Sequence, residues 1–239
     1  MSTRIATARW TGVFYLGVAI AGIVGFMVVR NQLYAPDDAH ATLANLTGHE
    51  SLARLGIAAD LTDVLAQSLA ALWFFKLFRD ENSFAAGSIA VFGLVNALVI
   101  LVATFFSATA LVVVGNAALA PGGDQAATAQ LLYRLNAQAW ALGGLSFGLW
   151  LIPMGYVVVT SKLMPAALGW ILMVGGVAYV IGAYLTQLVP DASAIAAALP
   201  LVATVGELWM IGYLLVFGVR TADLSGRARD VQPAAPARS

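Results

Sequence analysis

Six stretches of the chain are apolar almost without interruption, and each is about 20 residues or longer, the length that crosses a bilayer. Their limits are 10–29, 53–76, 84–113, 130–159, 166–186 and 198–219. Turn-forming residues separate them: Tyr34-Ala35-Pro36-Asp37-Asp38, Arg79-Asp80-Glu81-Asn82-Ser83, Pro121-Gly122-Gly123-Asp124, Ser161-Lys162-Leu163-Met164-Pro165 and Pro190-Asp191. The pattern predicts an all-α integral membrane protein, a six-helix transmembrane bundle forming a single domain over 1–220. The third and fourth stretches exceed a minimal span and must tilt or project beyond the membrane. Residues 221–239 mix Arg, Ala, Pro and Ser and read as a disordered cytoplasmic tail. Arg4 and Arg9 flank the first stretch as they would a signal peptide. Its length and the lack of an A-x-A site point instead to an uncleaved anchor.

Composition sharpens the class. Of 239 residues, 61% are hydrophobic and only 10% charged, where a soluble domain carries about 25% charged residues. The deficit of charge excludes a soluble globular fold. A net charge of zero gives no field that recruits nucleic acid. The absence of cysteine removes disulfides, thiol catalysis and thiolate metal sites.

Basic residues set the expected orientation. With both termini cytoplasmic, that side collects Arg4, Arg9, Lys76, Arg79, Lys162, Arg220, Arg227, Arg229 and Arg238. Arg30, Arg54 and Arg134 remain outside or within the membrane. The reading places the chain in a cell inner membrane, multi-pass, with membrane lipids as its surroundings.

The second stretch breaks the apolar rule. RLGIAADLTDVLAQ puts Arg54, Asp60, Asp63 and Gln67 into a helix that otherwise suits lipid. At 100° per residue, Gly56, Asp60, Asp63 and Gln67 fall within about 60° of one another, opposite Leu61, Leu65, Leu69 and Leu72. The carboxylates therefore face other helices. Arg54, above the leucine face, either reaches the headgroups or folds over the bundle. An aspartate at a helix centre costs about 2.5–3.5 kcal/mol on insertion scales, so two are a functional hypothesis by default. Helix glue is the plainer alternative, but one acid would serve for that.

Partners are sought at matching depth. Glu207 in VGELWMIGY and Asn96 in GLVNALV both lie near mid-span. Arg134, Asn136 and Gln138 open the fourth stretch, where Arg134 is either at the outer surface or buried against an acid. The site candidates are thus Arg54, Asp60, Asp63, Gln67, Asn96, Arg134 and Glu207, with Asp60, Asp63 and Glu207 acting together. Other features are weaker. His40 and His49 stand near Asp37, Asp38 and Glu50, but without the i, i+3 or i, i+4 spacing of a helical metal site, so no metal is expected. No cofactor is expected either: no histidine lies within a span for haem and no phosphate-binding glycine loop is present. Gly12, Gly17, Ala21, Gly22 and Gly25 mark a helix built for close contact. Trp73, Trp150, Trp170, Tyr179, Tyr184 and Trp209 are interface anchors, core or pocket lining.

Short motifs in a fixed order carry a resemblance. They are Arg9-Trp10-Thr11-Gly12-Val13-Phe14-Tyr15-Leu16, Ser51-Leu52-Ala53-Arg54-Leu55-Gly56 with Asp60, Phe147-Gly148-Leu149 and Gly155-Tyr156. Ser161-Lys162-Leu163-Met164-Pro165 with Leu168-Gly169, Gly206-Glu207-Leu208-Trp209 and Gly218-Val219 complete the set. The chain resembles, nearly end to end, the bacterial membrane proteins grouped as domain of unknown function 4386. The resemblance implies a multi-helix bacterial membrane protein, brings no activity, and points again to Arg54, Asp60 and Glu207. It departs at Ala166, where a basic residue usually follows the proline.

Three functions suit a buried acidic site. The first is a sensor or binding module holding a small amphiphilic, lipid-like or cationic ligand. The second is an intramembrane isomerase or cyclase that uses a carboxylic acid on an isoprenoid-like substrate. The third is a proton- or cation-coupled carrier, though the charge-free fifth stretch gives no inverted-repeat counterpart to the second.

Overall fold

The computed structural model describes residues 3–189, 191, 195, 198–199 and 201–220, and among these every regular element is a helix. Helix α1 (Thr3–Gly22) runs without a break through a π-helical stretch, Ile23–Val29, into α2 (Arg30–Leu33), making one apolar rod from Thr3 to Leu33. Then follow α3 (Ala39–Gly48), α4 (Glu50–Phe78), α5 (Ser83–Gly115), α6 (Gln125–Ser161), α7 (Ala166–Leu188) and α8 (Leu201–Val216). Thr3–Leu33, α4, α5, α6 and α7 are each long and apolar enough to cross a membrane. The apolar α8 has 16 residues. The expected tail, 221–239, lies outside the described residues.

Polar residues in the breaks start the helices where the sequence places them. Asp38, Asn82 and Asp124 each accept a hydrogen bond from the backbone N–H three residues on, at 2.8, 2.9 and 2.9 Å, which satisfies one orphan donor of α3, α5 and α6. Lys162, at φ 58°, ends α6 in the left-handed region before Pro165 opens the next helix. Helix α6 is the longest, at 37 residues. At 1.5 Å per residue it is about 55 Å long, so it projects well beyond a hydrocarbon core of about 30 Å.

The helices close a ring. Helix α1 packs on α4, α4 on α5, α5 on α6, α6 on α7, α7 on α8, and α8 returns to α1. Small residues let the backbones approach. A Cβ on Gly148 would lie 2.4 Å from the carbonyl oxygen of Gly176, and one on Gly155 2.4 Å from that of Gly169, so α6 and α7 touch through bare backbone. Gly175 meets the Ala203 backbone on α8, while Gly12 and Gly93 receive the Cβ atoms of Leu214 and Ala71 at two further seams.

One end of the ring gathers the start of α1, the turns at 79–82 and 162–165, and residues 218–220. Arg4 pairs there with Glu81, and the Arg220 N–H donates to Leu163 O at 2.9 Å. The opposite end carries α3, whose Thr42 donates to Gln130 Oε1 at 2.7 Å. Gln130 Nε2 in turn donates to Pro36 O at 2.7 Å.

Candidate functional site

The ring encloses a cavity of about 700 Å³, within the range of small-ligand pockets. Every helix of the ring contributes to its wall. Besides Arg30, Thr186 and Thr204, six polar residues line that wall: Tyr15, Asp63, Gln67, Asn96, Tyr179 and Glu207. These residues stand 9 to 15 positions from the ends of their helices at the Arg4–Glu81 end. At 1.5 Å per residue that is one layer, roughly 14–22 Å deep. The rest of the wall is apolar, with Val18, Val99, Ile100, Trp140, Phe147 and Ile211 among its members.

Asp63 and Gln67 reach the cavity because α4 turns its polar stripe inward. Asp60, Asp63 and Gln67 are 8%, 3% and 0% exposed, while Leu61, Leu65 and Leu72 on the far side are about half exposed. The glycines of the first span make room. Asp63 Oδ2 lies against Gly22, and Asp60 Oδ1 sits where a side chain on Gly25 would be, 2.6 Å from its would-be Cβ. Gly25 lies within the π-helical stretch and Gly22 just before it, a distortion that recurs at functional sites in other helices.

Several of these buried groups have no protein partner. Asp63 Oδ1, both amide atoms of Gln67 and Arg30 Nη1 are enclosed and make no hydrogen bond. A buried polar group left unsatisfied costs about 1–3 kcal/mol. Glu207 is better provided for: half-buried on α8, it accepts from Tyr15 OH at 2.8 Å. Asn96 accepts from Ser146 Oγ at 3.2 Å. Behind this layer, Tyr15, Phe147 and Phe74 pack edge-on around Trp150, at 5.2, 5.2 and 6.0 Å between centroids. Phe147 packs edge-on against Tyr179 at 5.0 Å.

Asp60 lies beside the main cavity rather than in it. It lines a separate crevice of about 20 Å³ together with Arg30, Tyr133 and Asn136. That is room for about one water molecule. Arg30 borders both spaces. Its guanidinium stands over the rings of Phe26 and Tyr34, at 4.8 and 5.8 Å, and Phe26 packs on Trp140 at 5.3 Å.

The sequence-derived candidates divide accordingly. Asp63, Gln67, Asn96 and Glu207 share the cavity, and Asp60 occupies the adjoining crevice. Arg54 and Arg134 are elsewhere. Arg54 is exposed and bonds Glu50 one turn away, its Nη2 at 2.6 Å from Oε1. Arg134 is exposed and donates to Pro36 O at 3.0 Å. Position along the helix explains both, since each stands in the part that extends toward the α3 end. The cation beside the cavity is Arg30, half-buried, which the sequence leaves outside or within the membrane because it follows the last apolar residue of its stretch. Tyr15 also escaped notice as a polar group, its hydroxyl being outweighed by the apolar run around it. His40 and His49 are exposed at the two ends of α3, with His49 Nδ1 3.1 Å from Asn45 O.

Among the described residues, the π-helical stretch packs on α1, α2 and α4 but makes no extensive contact with α8. Ile23, Phe26 and Met27 line the cavity and are also exposed, as is Leu208 of α8. An all-helical, multi-pass membrane protein with a largely apolar cavity, lined in one layer by polar residues, inside its ring of helices is the class these features define. The chain belongs to the family described as domain of unknown function (DUF4386), which it matches over residues 10–218. No curated protein and no solved structure matches it.

Proposed function

We propose that this protein is a binding or sensing module of the bacterial inner membrane, whose cavity takes up a small lipid-like amphiphile. The observation that carries this reading is Gln67, fully buried on the wall of a cavity of about 700 Å³ with neither amide atom bonded. Polar groups in that state cost stability unless a bound molecule meets them. The apolar remainder of the wall suits a hydrocarbon body. The side between the π-helical stretch and α8 is the access route from lipid. Trapping in an enclosed site needs no chemistry beyond this complementarity, so binding accounts for the features that a cyclase or carrier would also require.

The test is retention. Protein released from mild detergent should carry a bound mass of a few hundred daltons in native mass spectrometry, in line with a drug-sized pocket occupant. Ala141→Phe, which puts a ring into the cavity, should lose most of that mass while keeping its helical content. Naked protein from both variants, with no thermal shift across a panel of amphiphiles, would defeat the reading.

In this reading α8 completes a sixth crossing and both termini face the cytoplasm. Arg4, Arg9, Lys76, Arg79, Lys162 and Arg220 belong to the end that holds the start of α1, against Arg30, Arg54 and Arg134 toward the other. A reporter active only in the periplasm should be silent after Ser239 and active in the 36–48 loop. Activity after Ser239 would mean an odd number of crossings.

A further inference from the structure

Wall chemistry narrows what kind of amphiphile fits, taking the binding role of the cavity as given. Two carboxyl groups, those of Asp63 and Glu207, line it, and among the described residues neither forms an ion pair with a protein cation. Arg30 is the basic residue on the wall, but its guanidinium is stacked over Phe26 and Tyr34 and shares its crevice with Asp60. Glu207 has Tyr15 OH as donor, whereas Asp63 Oδ1 has no donor at all although the residue is 3% exposed. One turn along the same face, Gln67 offers a free acceptor and a free donor. A buried carboxyl group is tolerated when a cation or hydrogen-bond donor meets it.

We propose that the cavity binds an organic amine: an apolar body bearing a protonated amino group next to an oxygen atom. The ammonium N–H groups donate to Asp63 Oδ1 and Gln67 Oε1, and the neighbouring oxygen accepts from Gln67 Nε2. That one headgroup satisfies each open bond on the stripe. The rings of Tyr15, Phe26, Trp140, Phe147 and Tyr179 on the surrounding wall favour a cation over their faces and a hydrocarbon against them. An anionic headgroup would instead confront two carboxyl groups, and Arg30, whose Nη1 is unbonded, stands where the wall meets the crevice that holds the Asp60 carboxyl.

The experiment compares two rigid probes of nearly equal shape, adamantan-1-amine and adamantan-1-ol, titrated calorimetrically into the purified full chain in detergent. The amine should bind at least about tenfold more tightly than the alcohol, the size of effect one charged hydrogen bond gives. Asp63→Asn should remove that preference while leaving the alcohol unaffected, and Glu50→Gln, on the surface, should change neither. Should Asp63→Asn not fold, Gln67→Leu tests the same headgroup and should weaken the amine severalfold. Equal binding of amine and alcohol, or an amine preference that survives these changes, overturns the amine assignment but leaves the amphiphile site standing. Failure of both probes, and of the native bound mass described above, overturns the binding role as well.

Discussion

Gly25 and Gly22 sit three residues apart on the first span and face the two aspartates of α4, yet the space before them differs. A Cβ on Gly25 would stand 2.6 Å from Asp60 Oδ1, while one on Gly22 would stand 3.7 Å from Asp63 Oδ2, an ordinary contact. Gly25→Ala must therefore push the Asp60 carboxyl toward Arg30 or force the helices apart. Overpacking of this kind costs about 1–3 kcal/mol. Thermal unfolding should show Gly25→Ala destabilised and Gly22→Ala close to the parent. Equal behaviour of the two would mean that Asp60 is not held against this backbone. The acids themselves were legible in the sequence: a 100° period puts Asp60, Asp63 and Gln67 on one stripe, and all three are buried. Arg30 was not legible, because periodicity reports a residue's face and not which neighbour covers it.

Helix pairs are held by shape more than by side-chain bonds. In lipid no hydrophobic force drives apolar helices together, so close packing of small residues carries the association. The α6–α7 seam is the clearest case, with Gly148 and Gly155 against Gly176 and Gly169. Gly148→Ala should separate the pair and lower the unfolding temperature by several degrees, since a clash with backbone cannot be relieved by rotating a side chain. Gly87→Ala, with open space around it, should not lower it. Matching losses would show that the loss does not come from the α6–α7 seam. The turns at 34–38, 79–83, 121–124 and 161–165 were readable, because each holds the residue that caps or precedes the next helix, Asp38, Asn82, Asp124 and Pro165. The π-helical stretch was not, since no proline marks Ile23–Val29. Helix α3 also went unread, being short and bonded to α6 through Thr42 and Gln130, a tertiary tie.

For the molecule as a whole, counting residues along the spans put Asn96 and Glu207 at the depth of Asp63, and all three line the cavity. The order of helices around the ring was beyond such counting, because the stretches other than the second are apolar on nearly all sides and none announces its neighbour. The ring turns separate polar residues on five helices toward one cavity. Photolabelling with a diazirine-bearing long-chain amine tests that site most directly. Adducts should map to Phe26, Trp140 and Phe147 inside the ring, and an excess of unlabelled amine should suppress them. Labelling confined to outward residues such as Trp170, Phe84 and Leu65, with no competition, would contradict the account.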